Sequence, residues 1–439
     1  MNRPYYPGFF FSLIVFLCLN VFQDISVFSQ TDSLTRYLTL AAQNNPGVQR
    51  SFLEYKAALQ KVPQVGSLPD PEVNLGVFVQ PMELINGNQI ADIRLMQMFP
   101  WFGTLKAAKD EMSLMAKAKF ELFQDAKLQV FYDVKRNWYD LQRVSENIQF
   151  SEKSLSLLQT IERLALVRFQ AGPTAMQGKS MRSPAGVTGL ADLYRIQIET
   201  GDLENNIALL KTMQKTMEAK FNAFLNRPSE TRIYLPDKLL PDSIGLAIPA
   251  LTDSMLSLNP MLGMLAYEQQ SLEARKKMVT QMGLPTFGFG LNYSVISKNS
   301  TSTSPMNGRD MIMPMATLTL PVYRWKYNAM KTETELLKSA SRQNYLSTAN
   351  ALHTEYYEAV QLFRDGQRRI KLYNGQSKLT QKTLDIMLTS FSTGETGLTD
   401  ILRIRQQLLD YEFKQIEALA DYNTAIAWLQ RLMASWPVQ

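Results

Sequence analysis

Between residues 286 and 296 the chain alternates without a break: Phe287, Phe289, Leu291, Tyr293 and Val295 are apolar, and the residues between them, Thr286, Gly288, Gly290, Asn292 and Ser294, are small or polar. Successive side chains of a strand point to opposite faces, so this pattern predicts a strand with one apolar face and one polar face. Weaker alternation predicts strands at 72–79 (Val73, Leu75, Val77 and Val79 against Glu72, Asn74 and Gly76), at 91–95 (Ala91, Ile93 and Leu95 against Asp92 and Arg94) and around 316–320 (Ala316, Leu318 and Leu320 against Thr317 and Thr319). Most of the remaining chain follows the other period. Apolar positions at helical spacing, such as Phe150, Leu157, Ile161 and Leu164, or Leu384, Leu388 and Phe391, predict helices near 33–62, 104–170, 189–226, 251–281, 326–391 and 397–436. Neither long helix contains a proline, and at about 1.5 Å per residue each reaches on the order of 100 Å. A helix of that length outgrows a globular core and must pack side by side with others in an elongated bundle. In each half the two short helices together match the long one, which predicts that they stack end to end beside it.

The pattern is written twice. Asn45-Pro46 returns as Asn259-Pro260, Pro71 as Pro285 and Gly76 as Gly290, all at a spacing of 214. Pro100 matches Pro321, and Phe169 to Gly172 (FQAG) matches Phe391 to Gly394 (FSTG). Gly189-Leu-Ala-Asp192-Leu-Tyr-Arg195-Ile196 then matches Gly397-Leu-Thr-Asp400-Ile-Leu-Arg403-Ile404. The falling offset places an insertion near 173–188 in the first copy, and the expected units are 30–228 and 251–436, with a linker at 229–250 and a tail at 437–439. An internal repeat of this kind sets the fold class: mainly α with transmembrane β, a duplicated helix-strand-strand-long helix-helix unit.

A membrane setting follows from the first residues. Arg3, an apolar run from Phe9 to Leu19, and small residues at Val27 and Ser29 read as a secretory signal over 1–29, cut before Gln30. Cys18, the one cysteine, lies inside that leader, so disulfides and thiolate metal sites are excluded from the mature chain. No other stretch holds 18 consecutive apolar residues, so a further membrane span has to be built from strands. Four strands cannot close a barrel, and open strand edges are not tolerated in lipid, so several protomers must share one. The apolar face of the third strand, Phe287, Phe289, Leu291 and Tyr293, then faces lipid, and the turn-rich stretches 80–89 and 297–310 are expected as loops. The competing reading of the same alternation is a soluble hairpin with one buried face.

The whole order, with NP in the first helix, LPDP and LP before the odd strands, FPWFGT after a strand, RFQAG and SFSTG at the helical turns and LNRP at 225–228, resembles the TolC-like outer-membrane efflux proteins. The resemblance covers nearly all of the mature chain, and the FPWFGTL segment is similar to that of members serving heavy-metal pumps. It implies a homotrimer in the outer membrane of a Gram-negative bacterium, with a shared 12-stranded β-barrel and a periplasmic α-barrel tunnel. It also implies partners: a periplasmic adaptor, an inner-membrane pump of the resistance-nodulation-division type, and outer-membrane lipid. The turns at Gly172, Gly394 and Gly397 would form the tip that meets the adaptor, although 173–188 departs from the family's tight turn. A secreted helical scaffold or adaptor without a barrel is the alternative.

Asp400 and Arg403, three apart on one helical face, are candidate gate residues together with their repeats Asp192 and Arg195. The resemblance implies two acidic residues in the constriction; it fits at Asp400 and fails at Arg403. Inter-helix pairing of these charges would hold the tunnel closed, whereas exposed pairs would contribute under ~1 kcal/mol and gate nothing. Little else invites chemistry. The single histidine, His353, cannot build a multi-histidine centre, no phosphate-binding or nucleophile motif occurs, and no catalytic residue or cofactor is expected. The net charge of +6 comes without a basic cluster, so nucleic acid is not an expected partner. Met96 and Met98, and the alternating Met311, Met313 and Met315, carry thioethers that suit soft ions. Methionine more often fills gaps in apolar surfaces, and no metal ligand is assigned.

Overall fold

A computed structural model describes residues 31–171, 189–242, 251–393 and 396–434. The predicted leader, the 173–188 insertion, Gly172 and Gly394 all lie outside them. The first half runs α1 (Thr31–Asn44), α2 (Pro46–Gly66), β1 (Glu72–Leu84), β2 (Gly87–Phe99), α3 (Thr104–Ala171) and α4 (Leu190–Phe224). The second repeats that order as α5 (Leu251–Leu258), α6 (Pro260–Met282), β3 (Thr286–Ser297), β4 (Met311–Thr319), α7 (Arg324–Thr393) and α8 (Leu398–Leu432).

Each helix expected at the head of a half is two helices. Asn45 and Asn259 take extended ψ angles of 123° and 122°, and the prolines that follow occupy first-turn positions, where a missing N–H costs nothing. The Asn45 carboxamide oxygen accepts from the amides of Gly47 at 2.9 Å and Val48 at 3.3 Å, and that of Asn259 accepts from Met261 at 3.0 Å. The other end of each carboxamide donates to the last turn of a distant helix. Asn45 Nδ2 reaches the Phe224 carbonyl of α4 at 3.0 Å, and Asn259 Nδ2 reaches the Leu432 carbonyl of α8 at 3.3 Å. One side chain thus caps α2 while binding the end of α4, and its repeat joins α6 to α8 in the same way.

These joints stack α2 on α4 and α6 on α8. The pairs have 21 and 35 residues, and 23 and 35, beside long helices of 68 and 70. Both α4 and α8 end with a residue at positive φ, Asn226 at 51° and Ala434 at 48°. Replacing Asn259 with alanine removes a cap and strands a buried carbonyl together, and should cost about 1–3 kcal/mol in denaturant unfolding.

In the half of the bundle nearer the strands the packing order is α2, α3, α6, α7, and in the other half it is α4, α3, α8, α7. At mid-height Tyr37, Trp138 and Phe221 form a buried aromatic core with their ring centroids within 5.7 Å of one another. The described part of the inter-repeat linker straps across this level. Glu146 accepts from the Leu239 amide, Asn423 binds the Asp242 amide and the Leu240 carbonyl at 2.8 Å each, and the Tyr139 hydroxyl donates to Asp242 at 3.2 Å.

The strands form one antiparallel sheet in the order β1-β2-β3-β4. The stretch 80–89 is mostly strand rather than the expected loop, because β1 runs to Leu84, β2 starts at Gly87 and a two-residue turn suffices. Gly87 closes that turn at φ +123°, and a Cβ there would collide with the Ser297 carbonyl oxygen. A register shift between Val77 and Met82 marks a bulge in β1. The 298–310 connection folds back over this turn: Ser302 Oγ donates to the Ile85 carbonyl at 2.6 Å, and the Gly308 amide to the Asn86 carbonyl at 2.9 Å.

Candidate functional site

The sheet and the far end of the bundle hold every predicted site residue that falls within the described chain. Across the sheet, register aligns Val73, Leu95, Leu291 and Pro314 in one row and Leu75, Ile93, Tyr293 and Ile312 in the next. Phe99, Phe287 and Leu318 form a third, and Gln97, Phe289 and Ala316 a fourth. This face carries the four predicted lipid-facing residues. Val73, Leu75, Val77, Ile93, Leu95, Phe289, Leu291, Ile312 and Leu318 are all exposed on it. The opposite face carries Glu72, Asn74, Asp92, Arg94, Asn292 and Ser294, and here Asn292 and Ser294 are buried. Glu72, Asn74 and Arg94 on the polar face are exposed as well; an uncovered apolar side is what a membrane barrel wall presents and what a soluble hairpin buries. The alternating methionines of β4, and Met96 and Met98 of β2, lie on the polar face.

Aromatic residues gather where the strands meet the helices. Trp101 stacks on Phe287 at 5.6 Å between centroids, Phe99 lies 6.0 Å from Phe289, and Phe102, Tyr323 and Trp325 are exposed beside them. Girdles of aromatic residues also flank the apolar band of membrane barrels. No helix among the described residues is long and apolar enough to cross a membrane.

At the opposite end, Leu158, Ile161, Ile196, Leu384, Phe391 and Ile401 pack α3, α4, α7 and α8 together. The four predicted gate residues do not form one network there. Asp400 and Arg403 pair within α8 at 3.3 Å, with side chains 52% and 74% exposed. Asp192, in the first turn of α4, instead accepts from the Gly189 amide at 3.3 Å and so caps the helix. Arg195 leaves its own helix and donates to Thr399 Oγ1 at 2.6 Å, tying α4 to the start of α8. Gly397 is the N-cap of α8, with an extended φ of −80° and nothing within 4 Å of a Cβ placed on it. It starts the helix without any steric need for glycine.

The inter-helix ion pair with the most buried partner lies outside the predicted residues. Arg405 on α8 has a side chain only 2% exposed; it donates to Glu199 of α4 at 2.9 Å and to Ser154 of α3 at 2.9 Å. Burial holds its guanidinium below the usual arginine range, and the Glu199 carboxylate partly offsets this. The sequence signal was present: Ile401, Arg405, Leu408 and Leu409 form a core stripe with one charged member. Clefts of about 600 and 490 Å³ open on either side of this tie, between α4 and α8.

One helical turn or two further along, burial raises the Glu412 carboxyl to about 6, and Lys153 of α3 pulls it back only in part. A raised carboxyl favours the fold below its unfolded value of 4.5, and that contribution disappears as the pH rises through 6. Glu412→Gln should therefore stabilise the protein by about 1–2 kcal/mol at pH 7.5 and leave it unchanged near pH 4. Thermal unfolding at the two pH values checks the sign.

No family model and no curated protein matches this chain. Solved structures do. The outer-membrane channel OprN superposes with a TM-score of 0.76 at 13% identity, covering 92% of this chain and 90% of that one. The Vibrio cholerae outer membrane protein VceC gives 0.73 at 12%, covering 91% and 95%. The Campylobacter jejuni CmeC outer membrane channel gives 0.74 at 16%, covering 91% and 85%. The chain has the fold of the TolC-like outer-membrane channels. In this TolC-like fold the sheet stands at one end of the helical bundle, and Arg195, Glu199 and Arg405 lie at the other.

Proposed function

We propose that three copies of the chain assemble in the outer membrane as the exit duct of an export system. The carrying observation is that the protomer is open at the same two edges throughout its length. β1 and β4 are the unpaired sheet edges, α2 and α4 flank the bundle on the β1 side, and α7 flanks it on the other. Both bundle edges are apolar and uncovered. Leu190, Tyr194, Ile198, Leu209 and Met213 are exposed on α4, and Leu372, Leu379 and Ile386 are exposed on α7 at heptad spacing. Edges of unlike composition join head to tail, and a rotation that closes makes a ring. Three protomers give twelve strands, with β4 of one pairing β1 of the next, and a tunnel walled by the long helices.

As a conduit the protein takes its driving force from an inner-membrane pump of the resistance-nodulation-division type, reached through a periplasmic adaptor. The adaptor meets the tip around Gly172, Gly394 and Gly397. Closure at that end rests on Arg195 and Arg405 reaching across helices, with Asp192 holding the start of α4 and the Asp400–Arg403 pair lining the surface beside them. Small solutes or metal ions are the cargo.

Planar bilayers containing the purified chain should show discrete channels, and unheated gel samples should run as trimers that boiling dissociates. A helical scaffold or adaptor would give neither channels nor a heat-modifiable trimer. Crosslinking in cells should capture the pump and adaptor with the chain.

A further inference from the structure

The polar face of the sheet contains a trough lined by sulfur. β3 carries glycine at 288 and 290; the register sets Met98 and Thr317 on either side of Gly288, and Met96 and Met315 on either side of Gly290. With no side chain on β3 at these points, the neighbours lean into the gap. The position a Cβ of Gly288 would take is 2.6 Å from Met98 Sδ and 3.3 Å from Met96 Sδ. The equivalent position on Gly290 is 3.1 Å from Met96 Sδ, and Thr317 Oγ1 lies 4.0 Å from the same sulfur. Two thioethers thus converge over Gly288, and Met315 flanks the next glycine along the trough. Glu72 shares a row with Met96, and Arg94 stands two residues before it on the same face, so the donors that select the ion are the neutral sulfurs.

We propose that Met96, Met98 and Met315 form a thioether site for a soft monovalent cation, Cu(I) or Ag(I). Neutral sulfur donors hold such ions and compete poorly for Mg²⁺ or Ca²⁺, which take oxygen. Methionine's rotatable bonds let the sulfurs close the remaining distance. The glycines supply the space, which any other residue on β3 would fill. The site's placement on the lumen rests on the barrel reading above; three copies would then ring the exit, and the ion would be cargo held in passing.

The test titrates Ag(I) as its nitrate into the detergent-solubilised full chain in chloride-free buffer, by calorimetry with silver-edge X-ray absorption. The expected result is one high-affinity Ag(I) per protomer in a sulfur-only shell. The triple variant M96L/M98L/M315L keeps side-chain volume and should weaken binding at least tenfold. G288A, which keeps every sulfur but fills the trough, should also weaken it, and M213L, on an exposed helix face, should not. Wild-type affinity and stoichiometry in the triple variant, or a shell of oxygen and nitrogen, would overturn the site. Potassium chloride conductance measured on the same samples separates the two readings. Normal channels with unaltered Ag(I) binding in the triple variant refute the site alone, and sulfur-bound Ag(I) without channels refutes the duct alone.

Discussion

Arginine at Leu291 should lower the dissociation temperature of the detergent-resistant oligomer sharply, while aspartate at the adjacent Asn292 should barely move it. Leu291 lies mid-strand on the apolar face, in a row with Val73, Leu95 and Pro314, and is exposed there. In a bilayer that exposure is to hydrocarbon, where arginine near the midplane costs about 2–4 kcal/mol in each protomer. Asn292 is on the other face, buried and directly across from Arg94, where an aspartate keeps the side-chain volume and stands opposite a cation. If this face met water instead, Leu291→Arg would be an ordinary surface change within about 0.5 kcal/mol. Similar shifts for the two variants would therefore exclude the barrel.

The second large effect is an asymmetry within one ion pair. Arg405 is 2% exposed and Glu199 is 40% exposed, so the partners are not equally dependent on each other. Glu199→Leu leaves a buried guanidinium with only neutral partners, Ser154 and Gln406, and should cost on the order of 3 kcal/mol. Arg405→Met fills the site with apolar volume while Glu199 keeps its water, and should stay within about 1 kcal/mol of wild type. The double variant should return close to the Arg405→Met value. Because Arg405→Met unties α4 from α8 without unfolding them, it should also raise single-channel conductance. Denaturant unfolding and bilayer recordings read the two effects independently, and equal costs for the single variants would contradict the burial argument.

Period decided what could be read in advance. The faces of β3 were legible because Phe287 to Val295 alternate over a full strand, and the long helices because their apolar spacing continues without proline. The helix breaks were harder to see. Asn45-Pro46 marked the repeat but sits inside otherwise helical sequence, and its role depends on a carbonyl 179 residues away. Asp192 looked like a gate residue because its spacing to Arg195 suits pairing, yet an acid three residues after the N-cap also suits capping, and the nearer partner won. Arg405 is hard to read from sequence because arginine normally marks a solvated face. Its partners are 206 and 251 residues distant, beyond any local pattern.

Each protomer combines two unbroken rods, α3 and α7, with two jointed ones. A jointed rod yields at its joint first, so Asn45 and Asn259 are where a lateral push on the tips of α4 and α8 is taken up, while α3 and α7 act as struts. The lever arm is the 35 residues of α4 or α8, about 50 Å. A few degrees of tilt at the joint is then several ångströms at the tip and almost nothing at the strands. The far end can widen while the sheet keeps its shape.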